Sequence, residues 1–252
     1  MENNSEIIVE IGYNHLGSIY ILKKLMERVI KNRLNITFQI RSQDFISKEI
    51  LDINLDYLIR IIKFYKNKYP KNFQVGFALD SLNFFEKISS ISDFIKILSI
   101  FSEKKEFLST TNYKKPIFVS LGLDSIKEIE SLSNATKKNN IKFNSIFTTF
   151  DSTGQDISIK ELNLIDSISD SISFGYHQNN IFLIPTLISL INFKNIFIYL
   201  NPGFDDNATS FLPDAKHSVK IDEILKIKET LKLKNIIMKN KPRGSFKEFS
   251  ND

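Results

Sequence analysis

The chain has no cysteine. That excludes disulfides, thiolate metal sites and cysteine nucleophiles together. It also lacks any uninterrupted apolar run of about 18 residues, the length a membrane-crossing helix needs. The opening residues Met1-Glu-Asn-Asn-Ser-Glu6 are acidic and polar, without the basic-then-apolar order of a secretory signal. A cytoplasmic protein is therefore expected. A Gly-rich phosphate loop is missing as well, because Ile11-Gly-Tyr-Asn-His-Leu-Gly17 carries only two glycines at the wrong spacing. No Arg-rich run alternates with aromatics. The net charge of +5 reads as lysines scattered over helix surfaces, and neither nucleic acid nor membrane is expected as a partner.

What is present is a chain of 252 residues, 42% hydrophobic, able to bury a substantial core. Eight strand-like runs can be read, at residues 7–11, 35–40, 73–79, 94–98, 116–121, 143–147, 171–176 and 196–200. Between them, helical periodicity marks 19–31, 84–88, 159–167, 181–191 and 221–231; Leu22, Leu25, Met26 and Val29 show it best. After the fifth strand a helix opens at Asp124 or Ser125, with Glu128 placed for a capping box. Alternating strands and helices imply a parallel sheet with right-handed crossovers. Eight units over about 240 residues predict a single (β/α)₈ TIM barrel spanning 1–252, with a polar, basic tail from about 238. An open doubly wound sheet is the structural alternative.

In such a barrel the strand exits converge on one face, where chemistry sits. The three histidines, His15, His177 and His217, each follow a β-type run. Glu10 lies inside Ile-Ile-Val-Glu-Ile and Lys96 between Ile95 and Ile97. Charged groups in apolar runs are expensive to bury unless paired or used. Glu10 could equally be a structural carboxylate, and Lys96 a side chain snorkelling at the rim.

These residues resemble the sialic-acid synthase (NeuB) family, whose members condense phosphoenolpyruvate with an N-acetylated sugar to make nonulosonic acids, using a divalent metal. The family opens E-I-G-x-N-H-x-G, and this chain has Glu10-Ile-Gly-Tyr-Asn-His-Leu-Gly17. Thr37-Phe-Gln39 stands at its K-F-Q, Lys96-Ile-Leu-Ser-Ile-Phe101 at its K-I-A-S-G-E, and Pro116-Ile-Phe-Val-Ser-Leu-Gly-Leu123 at its P-V-I-L-S-T-G-M. Pro213-Asp-Ala-Lys-His-Ser-Val-Lys-Ile-Asp-Glu223 matches P-D-H-x-x-S-L-x-x-D-E. The resemblance spans nearly the whole chain in order, without the small antifreeze-like domain that usually follows. It implies a catalytic role for Glu10 and His15. It implies substrate binding by Asn14, Gln39, Lys96, Ser99, Ser120, Tyr176 and Asp214. Of these, Lys96, Ser99 and Ser120 would hold phosphoenolpyruvate, and Glu10 and Asp214 the sugar. A divalent metal (Mn or Mg) would be the cofactor, and a homodimer is left open.

The pattern is broken in several places. Thr37 replaces a lysine, Phe77 a small polar residue, Phe101 an acid, and Thr149 and Asp151 an asparagine and a tyrosine. The two metal histidines become Asn179 and Asn201. Two expectations follow. Either a divergent synthase has moved its metal to His177 and His217, helped by Asp205 or Asp214, or a degenerate barrel binds a sugar or a partner without catalysis.

Overall fold

The structure, a computed structural model, describes residues 5–42, 53–149, 154–177, 182–203, 214 and 217–239. Asp151, Asn179, Asp205 and the tail beyond 239 lie outside these residues. Eight parallel strands run in sequence order: β1 (Glu6–Ile11), β2 (Asn35–Ile40), β3 (Val75–Leu79), β4 (Phe94–Ile97), β5 (Ile117–Ser120), β6 (Asn144–Thr149), β7 (Ser171–Tyr176) and β8 (Asn195–Leu200). β1 pairs with both β2 and β8, so the sheet closes. This is the expected (β/α)₈ barrel. A short β9 (Ser218–Val219) adds to β8 at its exit.

The helices are α1 (Ile19–Lys31), α2 (Leu55–Lys68), α3 (Phe85–Ser89), α4 (Lys104–Thr110), α5 (Ile126–Lys138), α6 (Ile159–Ile168), α7 (Leu183–Leu190) and α8 (Ile221–Lys239). α2 and α4 add to the helices expected from the sequence. Start signals are local: the Ser18 and Ser158 hydroxyls accept from Ile21 N and Glu161 N, and Ser125 and Glu128 form the full capping box.

Strand alternation sorts the side chains into two separate cores. Outward residues such as Val9, Ile36, Phe77, Ile95, Val119, Phe174 and Ile198 pack against the helices. Inward, Ile8, Phe94, Phe118, Ile146 and Phe197 form a compact plug. Its rings meet edge to face, Phe94–Phe118 at 5.6 Å and Phe118–Phe197 at 5.4 Å. Gly76 belongs to this layer by necessity, since a Cβ there would lie 2.0 Å from the Phe94 ring.

Candidate ligand site at the barrel mouth

Two residues further along each of these strands the interior turns polar. Ile8 is followed by Glu10, Phe94 by Lys96, Phe118 by Ser120, Ile146 by Thr148 and Phe197 by Tyr199. Glu10 and Lys96 meet at the centre: Lys96 Nζ donates to Glu10 Oε1 at 2.6 Å, with side chains 1% and 3% exposed. The ammonium also lies 4.9 Å from the Phe197 ring centroid, so the plug's top face completes its surroundings. Glu10 Oε2 is different. It is buried and has no hydrogen-bond partner among the described residues. Thr37, the register neighbour of Glu10 on β2, likewise has a buried hydroxyl without a partner there.

Around this pair stand His177, Tyr199, Arg41, Gln39, Asp214 and His217. His177 Nε2 is 3.8 Å from Glu10 Oε2, too far for a hydrogen bond. Its ring meets Tyr199 edge on at 4.7 Å. Burial, reinforced by the charges of Lys96, His217 and Arg41, holds the His177 imidazole well below its usual pKa, so it is neutral. Burial also drives the Tyr199 phenol well above its ordinary value, with Glu10 and Asp214 adding to the effect. The Gln39 amide, oriented to satisfy both groups, accepts from Arg41 Nη2 at 2.7 Å and Nε at 2.9 Å.

The loop after β1 is clasped to the loop after β8. Tyr13 N donates to Asp214 Oδ2 (2.8 Å), Asp214 N donates to Asn14 Oδ1 (2.9 Å), and Asn14 Nδ2 donates to the Leu200 carbonyl (3.4 Å). Gly12 permits the approach, because a Cβ there would sit 2.2 Å from Asp214 Oδ2. Burial raises the Asp214 pKa even though the Tyr13 N–H bond pulls the other way.

The expected site residues thus divide. Glu10, Gln39, Lys96, Ser120, His177 and Asp214 converge at the mouth. Ser99 lies beside them, packed where a Cβ on Gly122 would touch its side chain. Asn14 serves the loop clasp. His15 holds the turn after β1: Nδ1 accepts from Gly17 N at 3.0 Å, where Leu16 and Gly17 both have positive φ. Burial lowers its pKa to about 4, keeping the ring a neutral acceptor. Tyr176 is corrected out of the site. It is fully buried in the helix-side core, 5.9 Å from the Phe174 ring, because Gly175 and His177 take the inward positions. Phe77 also faces outward, its ring tilted against Phe38 at 6.0 Å, so β3 presents Gly76 and Ala78 inward instead. Phe101 packs on Phe107 at 6.2 Å, and the Thr149 hydroxyl donates to the Asp156 carboxylate at 2.6 Å. Sequence reading puts Arg41 at the end of strand two with Gln39 but misses Tyr199, which meets His177 edge to face.

Among the described residues the donor groups do not gather into a transition-metal site. His217 Nδ1 bonds the His177 carbonyl at 2.9 Å, and Asn201 Oδ1 accepts from Gly203 N at 2.8 Å. Among the described residues no group of three or more His, Cys, Asp or Glu side chains is arranged to hold a metal ion. A cavity of about 790 Å³ lies at the other end, below Ile8, Phe94 and Phe118 and beside Lys114, Lys142 and Lys194. That is the strand N-terminal face, where barrels carry stability and not chemistry. We place the site at the mouth because the buried charges are there.

No protein-family model matches the sequence, and no curated protein does. Solved structures do match. An N-acetylneuraminic acid (sialic acid) synthetase from Leptospira borgpetersenii, in complex with citrate, aligns with a TM-score of 0.77 at 15% identity, covering 98% of this chain and 90% of that one. The spore coat polysaccharide biosynthesis protein spsE of Bacillus subtilis aligns at 0.72 and 15%, covering 93% and 69%. A phospho-2-dehydro-3-deoxyheptonate aldolase from Thermotoga maritima gives 0.73 and 14%, covering 93% and 70%. The chain shares the (β/α)₈ barrel fold of these proteins. At these identities the likeness speaks for fold alone.

Proposed function

We propose that the mouth binds a neutral, polyhydroxylated ligand of the sugar class, in the setting of carbohydrate biosynthesis, without phosphoenolpyruvate condensation. The observation that carries this is Glu10. One carboxylate oxygen is taken by Lys96, while the other is buried without a partner among the described residues, level with the Thr37 hydroxyl, which also lacks one there. Buried oxygens in that state call for a hydroxyl or amide N–H from outside. A sugar supplies such groups at close spacing. Lys96 is occupied by its own carboxylate, and Thr37 stands where the resemblance expects a second cation, which leaves Arg41, bonded to Gln39, as a further cation at the mouth. The mouth also keeps the opening motif's Asn14 and Gly12, which hold Asp214 beside Tyr199.

The competing reading is condensation of phosphoenolpyruvate with an N-acetylated sugar. It is favoured by Lys96, Ser99 and Ser120 standing on adjacent strand ends. In that case a divalent metal would polarise the aldehyde. Calorimetric titration of phosphoenolpyruvate with and without manganese separates the two, together with phosphate release over a panel of N-acetylated hexoses. Hexose binding with neither phosphoenolpyruvate binding nor phosphate release supports the binding barrel. Metal-dependent phosphate release would replace it with the synthase.

A further inference from the structure

The lysines that look scattered in the sequence are gathered by the fold. α1 and α2 are neighbours on the barrel wall, tied by Tyr65 Oη donating to Glu27 Oε1 at 2.8 Å. Residues 19–33 carry five basic side chains and one acidic, and so do residues 55–71. These two stretches hold a net charge of +8 where the whole chain holds +5, so the remainder is net acidic.

The same wall exposes three large rings: Tyr20 at 70%, Tyr57 at 51% and Phe64 at 57%. Tyr57 and Phe64 are seven residues apart and share one face of α2. Each ring has a cation over it: Lys24 over Tyr20 (5.6 Å), Arg60 over Tyr57 (5.6 Å) and Lys68 over Phe64 (5.8 Å).

We propose that the α1/α2 wall is a docking face for an anionic lipid bilayer. Ring-and-cation pairs suit the headgroup zone, where an aromatic sits at the acyl boundary while its cation meets phosphate. Two exposed helix surfaces side by side offer a broad contact of the kind a bilayer surface takes. Nucleic-acid bases stack on open ring faces, whereas these carry cations. A second copy of the same face would be repelled by like charge.

Co-sedimentation of the full chain with large vesicles tests this. The protein should pellet with phosphatidylcholine vesicles containing about a quarter phosphatidylglycerol, stay in solution with phosphatidylcholine alone, and be released by about 0.5 M salt. Reversing Arg60→Glu, Lys63→Glu and Lys68→Glu together should weaken partitioning about a hundredfold. Phe64→Ser should weaken it about tenfold. These side chains are exposed, so melting temperatures should be unchanged, and salt release of the unaltered protein tests the idea without any variant. Equal partitioning into neutral and anionic vesicles would overturn the proposal. So would undiminished binding by the charge-reversed protein, or tighter binding to polyglutamate or an oligonucleotide than to the vesicles.

Discussion

The barrel interior contains two layers only two residues apart on the same strands, and they obey opposite rules. The lower layer, Ile8, Phe94, Phe118, Ile146 and Phe197, is apolar and complete. The upper layer, Glu10, Lys96, Ser120, Thr148 and Tyr199, is polar and incomplete, with Glu10 Oε2 and Thr37 Oγ1 lacking partners among the described residues. The lower layer closes on itself and adds stability. The upper layer costs free energy that only a ligand's donors would recover. The comparison separates what holds this barrel together from what it offers to other molecules.

The sharpest way to break that contrast is Lys96→Ala. Leaving the Glu10 charge buried alone should cost about 3–5 kcal/mol in urea denaturation, as much as a large cavity in the lower layer would. Removing both charges together, Glu10→Gln with Lys96→Met, should recover most of that loss. If Lys96→Ala is harmless, the ion pair is not desolvated as described.

His15 comes next. Its folded pKa of about 4 lies below the unfolded value near 6.5, so the fold binds fewer protons in between. Stability is then full above about pH 6.5 and declines as pH falls toward 4, by up to roughly 3 kcal/mol. His15→Asn should flatten that slope in denaturation curves taken across this window. An unchanged slope would assign the pH dependence elsewhere.

Gly76→Ala probes the lower layer with a smaller effect. The added methyl meets the Phe94 ring and should cost about 1–3 kcal/mol while leaving ligand binding at the mouth untouched. Lost binding at retained stability would mean that the layers are coupled.

Most of the fold is legible in the sequence because strand runs and helix starts are local signals. β2 and β7 begin and end where the alternation of residues 35–40 and 171–176 places them. The opening motif is legible for the same reason. The candidate site is legible only as a set of strand-end residues. That Lys96 faces Glu10, 86 positions away, depends on barrel closure, which no local pattern carries. Tyr176 illustrates a second limit: a shift of one residue along a strand moves a side chain from the mouth to the helix layer. The α1/α2 wall illustrates a third, since its charge density exists only once two distant segments lie side by side.

The most direct measurement is calorimetric binding of N-acetylated hexoses to the unaltered protein and to the Glu10→Gln/Lys96→Met protein, whose core remains charge-balanced. The account predicts that the unaltered protein binds without added metal and the double variant does not. Equal binding by both would show that the unpartnered Glu10 oxygen is not the anchor, and would contradict the claim.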